Sequence, residues 1–513
     1  MLCCRRLLQQ CLYARQLVRC MSTRHNNLTF RMGLEDNADG RSRCAIVIDE
    51  RTSLSYGDLA KRVACFVALL HSKYCLQRGE RILARVEKNI DSLALYLATL
   101  RLGAIYVPLN PAYTPRETQH FIEDAEPCLF VTCNKAIDVE FIDRISHIVD
   151  ISTLTVESHN MKPDYGIESV NSNDIACICY TSGTTGLPKG AMLSHGGLAW
   201  NADSLIETWR FTDSDILLHY LPFYHVHGMF ISLNCSLFTH SCVIYRPKFD
   251  AEDALKWIPR STVMMGVPTY YSRLLQQKGF NSDLTRKMRL FVSGSAPLSL
   301  PLWQEFRRRT GSAILERYGM TEAAVITSNV YEEEGRIPGS VGKILRGGEM
   351  RISESGIVEV KMPSVFQGYW RNPEKTRNEF TSDGFFITGD IGRIDDKGYL
   401  WILGRGKDLI ISGGLNVYPK EVEDTIDSLP YIQESAVIGV PHVDFGEAVV
   451  AICVPRTSTD REKAELKIFN ELRSKLANYK LPKKAIFIDA LPRNSMGKVQ
   501  KNLLRDRYKK LFQ

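Results

Sequence analysis

The chain has 513 residues, 44% hydrophobic and 24% charged, with a formal net charge of +7. This length exceeds what one hydrophobic core organises, so at least two domains are expected; the composition is that of an ordinary globular protein, and no apolar run is long enough for a membrane span. The charge invites a nucleic-acid partner, but the first 34 residues hold six Arg, no Lys and no acid, and without them the body stands near +1, which leaves no basic footprint for nucleic acid.

Those six are Arg5, Arg6, Arg15, Arg19, Arg24 and Arg31. An Arg-rich, acid-free start mixed with Leu suits a mitochondrial presequence and linker over residues 1–34, with the matrix as destination. The recurring Arg would interrupt the apolar core of a secretory signal, and Leu511–Phe512–Gln513 is no peroxisomal address. The 14 Cys are scattered. Cys3/Cys4, Cys128/Cys133 and Cys177/Cys179 form no pair of CxxC units, so no zinc site is expected, and a chain this large needs no disulfide staple.

In chain order the pattern is α/β. Tyr56–Leu70 reads as a helix, Arg81–Val86 as a strand, Ile90–Leu102 as a buried helix, and Ala104–Leu109 and Leu129–Cys133 as further strands. Strand, helix, strand with short turns is a crossover unit and implies a parallel sheet. Ile175–Tyr180 is another apolar strand. Beyond Gly413 the chain turns to compact alternation: Glu421–Ser428, Ser435–Gly439, Ala448–Val454, Lys463–Leu476 and Ala485–Ile488. The expected boundary lies near Arg405–Asp408. It divides a large domain, 35–406, from a small α+β domain, 407–513.

The strand Ile175–Tyr180 leads into Tyr180-Thr-Ser-Gly-Thr-Thr-Gly-Leu-Pro-Lys-Gly190. Gly183, Gly186 and Gly190 permit close backbone approach. Thr181, Ser182, Thr184 and Thr185 offer hydroxyls and Lys189 offers charge, a set suited to the phosphates of ATP. Pro188 before the Lys and Gly190 after it exclude the P-loop of kinases and ATPases.

This motif resembles the adenylate-forming superfamily of acyl-CoA synthetases, luciferases and peptide-synthetase adenylation domains. The resemblance runs from about Thr52 to the end, with further motifs in order. It implies the superfamily's fold, a large layered α/β domain with a small mobile one, and the substrates ATP and coenzyme A. By that resemblance, Leu221-Pro-Phe-Tyr-His-Val-His-Gly228 borders the acyl pocket through His225, and Gly294, Ser295, Ala296 and Pro297 pack on adenine. In Glu316-Arg-Tyr-Gly-Met-Thr-Glu322, the run Glu316, Arg317, Tyr318, Gly319 and Met320 meets the nucleotide, with Tyr318 on adenine. Thr321 meets the α-phosphate, and Glu322 holds Mg²⁺, a hard cation served by oxygen ligands. Asp390 resembles the carboxylate that takes the ribose hydroxyls, Arg405 its neighbour, Lys407 the hinge, and Gly413 and Gly414 the face that meets pantetheine. Lys498, in Leu491-Pro-Arg-Asn-Ser-Met-Gly-Lys498, resembles the catalytic lysine that orients the acid and stabilises charge at the α-phosphate.

Within the superfamily, Gly266-Val-Pro-Thr-Tyr-Tyr-Ser-Arg-Leu-Leu275, Met288–Leu298 and Gly439–Glu447 are similar to the malonyl-CoA synthetase subfamily. Malonate carries a second carboxylate, which must meet a cation if it is buried. Arg suits it through its bidentate fork. Arg289, at the start of the strand Leu290–Ser293, resembles the malonate-binding Arg of that subfamily, with Arg273 and His225 next in order. The segment Ala323–Asn329 departs from the subfamily and leaves methylmalonate or another short diacid open. A short- or medium-chain fatty acyl-CoA synthetase of the same fold, and a non-catalytic nucleotide-binding scaffold, are the other readings. The scaffold should have lost Lys498, Glu322 or Asp390, and all three stand. No obligate protein partner is indicated.

Overall fold

The computed structural model describes residues 26–35, 41–133, 145–181, 188–456, 461–473, 475–494 and 497–512. The crossover inferred from the sequence is present. Strand Arg81–Arg85, helix Ile90–Arg101 and strand Ile105–Pro108 make a parallel unit, with Arg81 opposite Ile105. Asn89 and Ser92 cap the helix reciprocally, and all of it but Asp91 is buried. It sits in a six-stranded sheet ordered 147–150, 129–132, 81–85, 105–108, 175–181, 189–194, parallel except for the last strand.

A nine-stranded sheet packs beside it, ordered 343–344, 324–328, 315–320, 290–293, 263–266, 216–219, 242–245, 44–47, 53–55. Helix Tyr56–Ser72 follows directly, started by a capping box between Ser55 and Asp58. Residues 349–405 add a four-stranded antiparallel sheet that ends at Arg405. The next strand, Ile410–Ser412, joins a different sheet, with 415–417, 446–455, 432–442 and 484–487. The chain therefore passes between sheets at Gly406–Leu409, and Lys407 lies in that passage. The small-domain elements expected at 421–488 correspond to helices Pro419–Asp427 and Arg461–Arg473 and strands Ile432–His442, Gly446–Pro455 and Lys484–Phe487.

The N-terminal boundary needs correcting. Residues 1–25, with most of the Arg-rich start, lie outside the described residues. The large domain, however, begins before residue 35. Leu28, Met32 and Leu34 are buried in the main core. Asn27 Nδ2 donates to the Leu100 carbonyl at 2.7 Å, the Leu28 N–H donates to His195 Nδ1 at 3.1 Å, and Arg101 donates to the Leu34 carbonyl at 3.2 Å. Burial holds the His195 imidazole near 4, so its Nδ1 accepts as a neutral ring. The Arg content had drawn the leader through Arg31, yet Arg31 is ion-paired to Asp203 at 2.5 Å.

Candidate active site

The two domains enclose a cleft of about 2080 Å³, ample for a nucleotide together with an acid. One wall is the hairpin of strands Ile175–Thr181 and Lys189–Ser194, with Thr181 opposite Lys189. Thr181 and Lys189 line the cleft. Ser182, Gly183, Thr184, Thr185 and Gly186, in the turn between them, lie outside the described residues. Two groups that the sequence reading missed hold the hairpin's arms. Tyr180 donates to Asp124 Oδ2 at 2.6 Å, and His120 Nε2 donates to the Pro188 carbonyl at 2.8 Å. Both come from helix Pro115–Ala125, whose start is fixed by a Thr114–Glu117 capping box and by Pro115 in its first turn.

Strand Leu315–Met320 supplies the floor. Tyr318 donates to Asp390 Oδ2 at 2.5 Å, and Arg405 Nε sits 3.0 Å from Asp390 Oδ1, Asp390 and Arg405 being cross-strand partners. Gly319 is required, because a Cβ there would come within 1.9 Å of the Ala324 carbonyl oxygen. Met320 and Thr321 also line the cleft. Glu316 is buried, accepts from the Gly339 N–H at 2.9 Å, and is pushed up to about 8 by burial. Glu322 is 6% exposed. It accepts from the Tyr369 hydroxyl at 3.0 Å and from Thr181 Oγ1 at 3.4 Å, and burial raises its pKa. A cation would relieve that burial cost. One carboxylate beside a hydroxyl, completed by phosphate oxygens, fits Mg²⁺.

The aromatic-histidine segment, through Tyr224, His225, Val226 and His227, lines another part of the cleft. His225 Nδ1 accepts from the His227 N–H at 3.3 Å, and His227 Nδ1 is 3.2 Å from Ser295 Oγ. Burial first, then the charges of Arg317 and Lys498, hold His225 near 4. Beneath them Lys88, absent from the sequence reading, donates to His219 Nδ1 at 2.7 Å and to the His219 carbonyl at 2.9 Å. His219 Nε2 donates to the Gly228 carbonyl at 2.9 Å and so fastens the segment's end. Ser295, Ala296 and Pro297 line the cleft. Gly294 packs on Arg317, so closely that a Cβ would come 2.4 Å from the guanidinium carbon.

Arg289 is not at this site, which corrects the assignment made from sequence. Its Nε and Nη2 each lie 2.7 Å from the two oxygens of Asp215, and Nη1 donates to the Trp209 carbonyl at 2.9 Å. It immediately precedes the strand Leu290–Ser293, and the opposite end of that strand, Ser293, reaches the cleft. Arg273 is exposed on helix Pro268–Leu275 and does not line the cleft either.

Arg317 does line the cleft, beside His225 and Gly294. Its Nε and Nη2 are buried with no hydrogen-bond partner among the described residues. Burial pulls the guanidinium down only to about 9, so it stays charged at neutral pH. His227 Nε2 and Ser293 Oγ, also facing the cleft, are likewise buried without partners.

The small domain contributes Lys498. The loop before it is closed by paired bonds between Asn494 and Lys498 at 3.0 Å each and by Arg493 donating to the Gly497 carbonyl at 2.5 Å. Gly497, at φ +72°, lies against Thr269 of the large domain, where a Cβ would come 3.0 Å from Oγ1. The Lys498 side chain remains open to the cleft. Crowding by the surrounding protein, then the charge of Arg405, pulls its ammonium down to about 8. Gly413 and Gly414 do not line the cleft. They turn between strands Ile410–Ser412 and Leu415–Val417, where Ile411 and Leu415 are exposed.

Arg289→Ala is expected to act on stability. It leaves Asp215, 3% exposed, as an unpaired buried acid, at a cost of about 3–5 kcal/mol. Burial of Asp215 opposes ionisation most, but the hydrogen bonds and charge of Arg289, together with hydrogen bonds from the Thr212 N–H and the Thr262 hydroxyl, outweigh it, so its pKa is lowered. The pair therefore stabilises above the usual Asp range, and that contribution is lost as pH falls through the folded value. Urea melts should show a large loss at pH 7 that narrows toward pH 3. The kcat/KM for acids should be unchanged in the folded fraction; a selective loss of malonate use would return Arg289 to the acid site.

Residues 34–370 match the family model of the AMP-binding enzymes, and residues 421–498 that of the AMP-binding enzyme C-terminal domain. The chain is 34% identical over 527 residues to the mitochondrial malonate–CoA ligase ACSF3 of Mus musculus, covering 90% of this chain and 88% of that one. It is 35% identical over 474 residues to the malonate–CoA ligase of Arabidopsis thaliana, covering 83% and 78%. The crystal structure of ATP-bound MatB from Rhodopseudomonas palustris matches with a TM-score of 0.91 at 46% identity, over 95% of this chain and 100% of that one. The apo form of that protein matches with a TM-score of 0.80. The arrangement here, with Lys498 in the cleft, thus lies nearer the ATP-bound form.

Proposed function

We propose that this chain, which belongs to the AMP-binding enzyme family, is an ATP-dependent malonate:CoA ligase forming malonyl-CoA, AMP and pyrophosphate through a malonyl-adenylate. The observation that carries the choice of acid is Arg317, a buried guanidinium without an acid partner among the described residues at the acyl end of the cleft. An unpaired buried charge is costly and awaits an anion. A fatty acyl chain would give it none; the distal carboxylate of a short diacid would.

The remaining residues take their roles around that anchor. Tyr318, Asp390 and Arg405 hold the nucleoside, and Thr181, Lys189 and the turn between them hold the phosphates. Glu322 with Thr181 would hold Mg²⁺, which when bound offsets the negative charge of the phosphates. Lys498 aligns the reacting carboxylate on the α-phosphorus, where two anions must approach. The carboxylate oxygen attacks, and pyrophosphate leaves. The small domain then turns about Lys407, withdrawing Lys498 and presenting Gly413 and Gly414, and the CoA thiol displaces AMP. AMP release with malonate, methylmalonate, acetate and octanoate tests the reading. Malonate should lead, with methylmalonate the nearest competitor, and octanoate turnover matching malonate would refute it.

The destination proposed for the chain is the mitochondrial matrix. With Asn27 and Leu28 already packed into the large domain, the segment to test is the Arg-rich stretch ahead of them, 1–25. A reporter fused behind it should enter mitochondria and be shortened; a diffuse, full-length reporter would dismiss the presequence. Among the described residues no helix is long and apolar enough to cross a membrane.

A further inference from the structure

Two cysteines stand outside every step above. Cys44 opens strand Cys44–Val47 and Cys242 opens strand Cys242–Tyr245. These strands are parallel neighbours in the nine-stranded sheet, with Ile46 opposite Val243. An irregularity of register between Cys44 and Ile46 on the other side of the strand accompanies the approach of the two sulfurs. They lie 3.5 Å apart, and the Cys242 thiol donates to Cys44 Sγ. Cys44 is exposed and Cys242 half-buried. Neither lines the catalytic cleft.

We propose that Cys44 and Cys242 form a peroxide-reactive dithiol that closes reversibly to a disulfide, a modification site separate from the catalytic cleft. The Cys44 thiolate attacks one oxygen of a hydroperoxide. The O–O bond breaks, Cys44 becomes a sulfenic acid, and hydroxide leaves to take up the proton that Cys44 had released. The Cys242 sulfur then attacks the Cys44 sulfur. The S–S bond forms, the S–O bond breaks, and the departing hydroxide takes the Cys242 proton as water. Two thiols lose two electrons in total, and hydrogen peroxide becomes two waters.

The geometry favours both steps. The hydrogen bond from Cys242 outweighs burial and brings the Cys44 thiol down to about 7. An exposed thiolate is the form that reacts. The resolving thiol is already in contact, and closing from 3.5 Å to a disulfide of about 2.0 Å needs side-chain rotation on two strands the ladder already holds together. The bond would join positions 198 residues apart in sequence, which restricts the unfolded chain and raises resistance to unfolding.

The full-length protein treated with hydrogen peroxide tests this. Expected are a Cys44–Cys242 linked peptide in a non-reducing digest, loss of two free thiols, recovery with dithiothreitol, and a melting temperature higher by a few degrees. Cys242→Ser should stop at a sulfenic acid on Cys44, captured by dimedone, and Cys242→Ala, which also removes the hydrogen-bond donor, should alkylate more slowly at Cys44 than the unsubstituted protein. Malonate-dependent AMP release should be equal before and after oxidation. Over-oxidation of Cys44 without the linked peptide would overturn the proposal, as would cross-links spread evenly among other cysteines. A loss of activity tracking the bond would overturn its separation from the cleft.

Discussion

Arg317→Met should lower kcat/KM for malonate by at least about a hundredfold, equivalent to about 2.7 kcal/mol, and leave butyrate use unchanged or improved. The guanidinium is buried against Gly294, near the neutral His225, and its Nε and Nη2 lack partners among the described residues. Met keeps much of the volume and removes the charge. Malonate then loses a bidentate, charge-assisted partner and must bury its second carboxylate unpaired. Butyrate has no second carboxylate and gains an apolar wall. The free enzyme should be as stable as before or more stable, because the substitution removes an uncompensated buried charge. Arg317→Lys should recover only part of the malonate activity, since an ammonium lacks the fork. If malonate and butyrate fall together, or if the variant melts early, Arg317 holds the strand rather than the substrate, and the preference for a diacid must be sought elsewhere.

Arg289 and Arg317 show where the sequence could and could not be read. Arg289 immediately precedes the strand 290–293, and Arg317 stands on its parallel neighbour, 315–320. The need for a cation follows from malonate's charge alone, and Arg is the right residue type. Which Arg faces the cleft depends on which end of each strand reaches it, and spacing along one chain does not contain that. Arg289 starts its strand at the remote end and finds Asp215, 74 residues away. Arg317 sits inside a nucleotide motif, which drew it toward the nucleotide in the sequence reading, although its side chain also lies beside His225. Periodicity served better where contacts are local. The crossover Arg81–Pro108 and the small-domain alternation were legible because capping pairs and apolar runs act within a few residues. Long-range fasteners were not legible. Lys88 reaches His219 across 131 positions, and His120 reaches Pro188 across 68. Nothing local distinguishes either from a surface Lys or His. The start of the large domain was misplaced for a similar reason: Leu28, Met32 and Leu34 show their burial only once Leu100, Arg101 and His195 are beside them.

Lys498→Ala should reduce malonate-dependent pyrophosphate release by about a thousandfold while sparing thioester formation from supplied malonyl-adenylate. The division follows from where the residue sits. Its loop is braced internally by Asn494 and Arg493, and Gly497 seats it against Thr269, so in this arrangement of the small domain the ammonium enters the cleft. In the proposed mechanism the second half-reaction uses the Gly413–Gly414 turn, which lies outside the cleft in this structure, and so requires a rotation that carries Lys498 away. A residue absent from the second step cannot limit it. The charge state gives an independent check. Crowding and the charge of Arg405 bring the ammonium down to about 8, so the charged form predominates below that pH and is lost above it. The adenylation kcat/KM should therefore level off below about pH 8 and fall as pH rises through it, approaching tenfold per unit. In Lys498→Arg the guanidinium keeps its charge, and the alkaline fall should disappear even though the rate at pH 7 is lower. Equal loss of both half-reactions in Lys498→Ala, or an alkaline limb that survives in Lys498→Arg, would take the adenylation step away from this lysine.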